Sequence, residues 1–374
     1  MFFSSNPHKN LLETAKRLNP LDNEALLIFA GDEEKELDLK KLIADLNQQG
    51  YNFFGAIFPA IIYGGKMSKQ GAVIHKLPVV EKPFLIRGLE NETIKLGLIE
   101  SFNREIAGDM TAMVLVDGLT VNINGFLAGL FNLLAGSVNY IGGGAGSLSL
   151  KQKPCLFSNE GLFQDAALVA LLRAKSKLGV RHGWEKLAGP VVVTKSVGNT
   201  IYELNWRSAF QVYKKIVEID CGTEINQEKF FDVAKGYPFG MIKDHNERIV
   251  RDPISVGPNG ELVCVGSVPE NSVVDILKGT PSSLIAAAGQ AAEECSDLDC
   301  RQLDSQVIFD CISRVLFLGE HFDEELATVN EKLKIAGFNE LPFGALTLGE
   351  ISSYGDGYLE FFNKTIVAGA IGSA

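Results

Sequence analysis

Glu350, Asn363 and Thr365 are polar exceptions in an apolar C-terminal stretch made of Leu341 to Ile351 and Phe361 to Thr365. Apolar runs rich in strand formers usually become core, so a carboxylate inside one has to be paired or bound to something. Arg251, in Arg251-Asp252-Pro253, carries the planar fork that clamps a carboxylate through two hydrogen bonds. Glu350 can hold an ammonium group, and Arg314 supplies a second positive charge. A structural tie between Arg251 and Glu350 explains the same residues equally well.

Other chemistry is harder to build from this chain. Cys311 ends the strand-like run Val307 to Cys311, the setting of an inert core thiol unless something lowers its pKa. There is no Gly-x-Ser-x-Gly elbow, and none of the five histidines sits in a triad-like setting. Gly142-Gly143-Gly144-Ala145-Gly146 fails as a phosphate loop, because Ser147-Leu148-Ser149-Leu150 follows where a Gly-Lys-Ser/Thr and a helix are needed. A turn or a close backbone approach suits it better. His182 adjoins Trp184, and an imidazole beside an aromatic surface can ligate a haem iron or be an ordinary hydrogen-bonded residue. Cys295 and Cys300 lack a partnering Cys/His pair, which argues against zinc. His245 reads as part of a polar turn.

The elements that must position these groups repeat. Leu26 to Ala30 reads as a strand, Glu36 to Gln49 as a helix stopped by Gly50, and Tyr51 to Phe58 as a second strand that leads into a hairpin. Asn124 is the expected cap of a helix after the strand Ala112 to Gly118, and Thr280-Pro281 opens an alanine-rich helix. Phe54-Gly55-Ala56, Ile141-Gly142-Gly143, Phe239-Gly240-Met241 and Phe343-Gly344-Ala345 each follow a helix and lead toward a hairpin. This predicts an α+β fold of helix-covered, mainly antiparallel sheets built from repeated strand-helix-hairpin units. The predicted domains are 1–224 and 225–374.

The chain has 374 residues and a net charge of -11, so two domains are expected and both nucleic acid and an anionic membrane surface are disfavoured as partners. The first residues lack the basic and apolar regions of a secretory signal, and the apolar segment Phe126 to Ala135 is broken by Gly129 and Asn132. A cytoplasmic protein is expected.

Tyr237-Pro238, Arg251-Asp252-Pro253, Asp310-Cys311-Ile312-Ser313-Arg314, Gly349-Glu350-Ile351 and Asn363-Lys364-Thr365, in this order, resemble the C-terminal half of the FIST sensory domain. Gly183-Trp184, Val193-Thr194, Gly198-Asn199 and Glu203-Leu204 resemble its N-terminal half. The resemblance implies a cytosolic module that binds small ligands, amino acids among them, and signals through a separate partner such as a histidine kinase. Some members of the family are haemoproteins that sense nitric oxide, which makes haem a possible cofactor and His182 its candidate ligand. The expected ligand-binding residues are Arg251, Glu350, Arg314, Cys311, Asn363 and Thr365, with no catalysis. An enzyme using Cys311 or Glu350 is the alternative. Counting seven residues on from Phe54 and from Phe343 places Ile61 where the last repeat has Glu350, so the C-terminal half is the expected ligand site.

Overall fold

The computed structural model describes residues 1–91, 93–97, 110–242, 248–296, 302–335, 341–353 and 359–373. His245, Cys300 and most of the expected strand Leu96 to Phe102 lie outside the described residues. The fold is α+β, with mixed and antiparallel sheets covered by helices.

Three stretches follow one plan. A strand, a helical crossover and a second strand parallel to the first occur at Glu24–Gly31, Leu39–Gln48 and Phe53–Phe58. They recur at Thr111–Asp117, Ile123–Leu134 and Asn139–Ala145. The third set is Gln302–Cys311, then helices Ile312–Leu318 and Phe322–Ile335, then Phe343–Thr347. In each, a later strand (Ala72–Pro78, Ala166–Leu172 or Ile366–Ser373) returns antiparallel to the first.

The recurring glycine has one cause in all three. Gly55, Gly142 and Gly344 lie opposite Ile28, Val114 and Ile308 across the parallel pair. A Cβ at each would fall 2.1, 1.7 and 1.8 Å from that partner's carbonyl oxygen, so only glycine admits the approach. The glycine-rich cluster at 142–146 is thus mainly strand; the close backbone approach explains Gly142, while a Cβ on Gly143 or Gly146 would first meet the side chain of Thr347 or Leu348.

Between second and returning strands, each stretch sends out a hairpin that joins a neighbour's sheet. Ala60–Tyr63 pairs with Phe343–Thr347, Leu156–Ser158 with Phe53–Phe58, and Glu350–Ser353 with Asn139–Ala145. The three exchanges close a ring, which ties the last quarter of the chain to the first half. The Phe239–Met241 copy differs. It has antiparallel neighbours on both sides in a seven-stranded sheet, and Gly240 faces the side chains of Arg248 and Leu277.

One local expectation shifts. Asn122 caps the helix Ile123–Leu134 by accepting from the Gly125 N–H, so Asn124 lies inside the first turn. Arg314 lies on the short helix Ile312–Leu318, which starts directly after the strand that ends at Cys311. The Thr280 cap and the helix Pro281–Cys295 form as predicted, with a capping box closed by Ser283. No helix among the described residues is long and apolar enough to cross a membrane.

Candidate functional site

The ring makes the position of Glu350 structurally exact. In each exchanged hairpin, one residue faces the position just after the buried glycine: Ile61 opposite Ala345, Leu156 opposite Ala56, and Glu350 opposite Gly143. Two of the three are aliphatic and the third is a carboxylate with no solvent exposure. The Thr347 hydroxyl donates to Glu350 Oε1 at 2.6 Å and the Thr365 N–H to Oε2 at 3.3 Å. Burial outweighs these bonds and pushes its pKa up to about 8, so the carboxyl keeps its proton at neutral pH.

Around it lies a sealed charge cluster. The fully buried Arg314 donates through Nε and Nη2 to Glu325, with Nε at 3.2 Å from Oε1. Nη1 reaches the His182 carbonyl at 2.6 Å and Nη2 the Leu284 carbonyl at 3.1 Å. Asp310 Oδ1 lies 3.2 Å from the same guanidinium, yet neither of its oxygens accepts an aligned hydrogen bond among the described residues. Burial, reinforced by Glu325, holds the Asp310 carboxyl well above its ordinary pKa. Arg314–Glu325 is thus the hydrogen-bonded ion pair, and Asp310 stands beside the same guanidinium at contact distance.

Lys364 supplies a second pair. Its Nζ sits 3.2 Å from Asp252 Oδ2, donates to the Lys235 carbonyl at 2.8 Å and lies 4.8 Å over the Trp184 ring. Its backbone is left-handed, at φ 53°, and its carbonyl accepts the Trp184 indole N–H at 3.0 Å. Arg251 is also buried, but carbonyls meet it: Ser267 at 3.0 Å, Val250 at 3.0 Å and Phe361 at 3.2 Å, with Asn363 Oδ1 at 3.5 Å. Burial lowers its pKa to about 10. The alternative of a structural tie between Arg251 and Glu350 is not what forms: Arg251 donates to the carbonyls of Ser267, Val250 and Phe361, while Glu350 accepts from Thr347 and Thr365.

Arg251, Glu350, Arg314, Cys311, Asn363 and Thr365 thus gather into one cluster, all between 0 and 3% exposed. Cys311 is sealed with its thiol pushed well up, first by burial and then by Glu350, which leaves no thiolate for nucleophilic attack at neutral pH. Three partners escaped the sequence reading as site residues: Asp252, Glu325 and Lys364. Asp252 and Lys364 lie within the quoted motifs. Glu325 follows Phe322 by three residues on the inward face of its helix, and that spacing is the signal that could have found it.

The cluster meets accessible space beside His182. A cavity of about 610 Å³ is lined by Arg181, His182, Trp184, Arg248, Ser283 and Gln290, among others. Glu185 also lines it, so its wall carries both signs of charge; outside the lining, Arg181 is paired with Glu294, and Arg248 Nε donates to Asp275 at 2.7 Å. Burial and the neighbouring Arg314, Arg248 and Arg181 pull the pKa of His182 down to about 3, and the ring is neutral. Its Nδ1 accepts the Trp184 N–H at 2.9 Å. A neutral ring with Nδ1 as acceptor carries its proton on Nε2, the opposite of the tautomer an iron bound at Nε2 requires. His182 as placed does not fit a haem ligand. No group of three or more His, Cys, Asp or Glu among the described residues could hold a metal ion.

Comparison with known families gives two matches. A model described as the FIST N domain matches residues 24–207, and one described as the FIST C domain matches residues 209–353. Together they span most of the chain. No curated protein matches it.

Proposed function

The chain belongs to the FIST family, whose domains are generally sensory modules that bind small ligands in signalling, and from that premise we propose that it is a cytosolic sensor taking a small zwitterion, an amino acid foremost, in the cavity beside His182. One observation carries this reading. The cavity wall presents two guanidiniums, Arg181 and Arg248, beside the carboxylate of Glu185, and each guanidinium is paired with a carboxylate outside the lining, Arg181 with Glu294 and Arg248 with Asp275. Such a wall can exchange one internal pair for a ligand carboxylate and ammonium group at little net change in buried charge. A haem sensor is disfavoured by the tautomer of His182.

The signal has a route. His182 and Trp184 touch the cavity on one side, and their carbonyl and indole are held by Arg314 and Lys364 on the other. A ligand that moves either residue changes the contacts of a sealed cluster, whose groups have few alternative partners. A separate protein, of which a histidine kinase is the proposed example, reads the result.

Isothermal calorimetry against the standard amino acids tests the site. At least one should bind saturably, with Arg248→Ala weakening it by roughly 10-fold or more, the loss typical of one charge-assisted hydrogen bond. Affinity unchanged in both Arg248→Ala and Gln290→Leu rejects the site.

A further inference from the structure

We propose that a second cavity, of about 660 Å³, takes a small carboxylate that also carries a neutral hydrogen-bonding group such as a hydroxyl or a primary amide. It shares no lining residue with the cavity beside His182. Its walls include His75 and Lys76 from the strand Ala72–Pro78, Ser305 and Gln306 from Gln302–Cys311, and Arg173 and Phe343.

One polar patch of that wall, Ser305 and Gln306, is unspent. Ser305 and Gln306 are 1% and 2% exposed, and the Ser305 hydroxyl and both amide atoms of Gln306 have no hydrogen-bond partner among the described residues. Buried polar atoms left unpaired cost stability, and a fold that keeps them adjacent in a cavity wall is keeping them for something. The pairing of their strand with Ile366–Ser373 slips between Leu303 and Ser305, a bulge of the kind that re-aims side chains beside sites. On the same wall the His75 ring stacks on Phe343, with centroids 4.7 Å apart.

Charge selects the other half of the ligand. Lys76 is neutralised by Glu24 at 2.8 Å. Arg173 is exposed, and its guanidinium has no partner among the described residues. An uncommitted guanidinium at the edge of a wall holding an uncommitted amide and hydroxyl fits a carboxylate at one end and a hydroxyl or amide at the other.

Succinamate and lactate are the probes, with uncharged lactamide as control. Nuclear magnetic resonance titration of the whole chain should show saturable binding of at least one carboxylate, with shifts at His75 and Gln306. Arg173→Met should weaken it at least 10-fold, and Gln306→Leu should weaken it while raising the thermal midpoint by about 3 °C, since an orphaned amide is removed. Three results overturn the proposal: no saturable binding of either carboxylate, binding undiminished in both variants, or lactamide binding as tightly as lactate. Loss of binding in Arg248→Ala with full binding in Arg173→Met assigns the probe to the His182 cavity and likewise overturns it.

Discussion

Arg314 donates to the backbone carbonyl of His182 at 2.6 Å, so a guanidinium with no solvent exposure fixes a residue that lines the cavity. The two lie 132 positions apart in the chain. This contact joins the cluster around Glu350 to the cavity that His182 lines.

Replacing Arg314 strands the charge on Glu325 and removes a donor from three carbonyls, those of His182, Leu284 and Lys364. Arg314→Met should cost about 3–5 kcal/mol, the usual penalty for breaking a buried pair from one side. Urea unfolding checks it, and a loss under about 1 kcal/mol would mean that Glu325 finds another partner.

The raised pKa of Glu350 makes stability depend on pH. The folded carboxyl holds its proton up to about 8, whereas the unfolded one releases it near 4.5. Between these values the folded state binds more protons, so the contribution is complete below about 4.5 and is lost as pH rises toward 8. Asp310 acts in the same direction. The thermal midpoint should therefore fall from pH 6.5 to 8.5, and Glu350→Gln should flatten the fall. Equal slopes in wild type and variant would show that Glu350 is not the titrating group.

Cysteine labelling separates a sealed thiol from a nucleophile. With its thiol pushed up and buried, Cys311 should stay unmodified by iodoacetamide in the folded protein while the half-buried Cys221 reacts. Mass spectrometry after digestion reads both sites, and preferential labelling of Cys311 would revive the enzyme alternative.

Much of the fold could be read from local signals. Three of the four glycine signals, at Gly55, Gly142 and Gly344, mark parallel strands because the glycine requirement, a carbonyl where a Cβ would sit, is set by the strand's immediate neighbour, whereas Gly240 lies between antiparallel strands and meets side chains. The count that aligned Ile61 with Glu350 holds in the register, since both occupy the same place in exchanged hairpins. The destination of each hairpin was not legible, because an exchanged hairpin and one that folds back have the same period of two. The site divides the same way. Glu350, Arg251 and Arg314 announce themselves as charges among apolar letters, but their partners come from distant elements: Arg314 is met by Glu325 of the next helix and by the His182 carbonyl. Ser305 and Gln306 gave no signal, because an unpaired side chain is a property of its surroundings and not of its letter.

The central claim, a small zwitterion held beside His182, is tested most directly by the fluorescence of Trp184. The chain has two tryptophans, and Trp206 is 79% exposed, so Trp206→Phe leaves Trp184 as the sole reporter. Titrating that variant with the amino acid that binds best should give a saturable change in emission, abolished by Arg248→Ala. A calorimetrically confirmed ligand that leaves Trp184 emission unchanged at saturation would contradict the account.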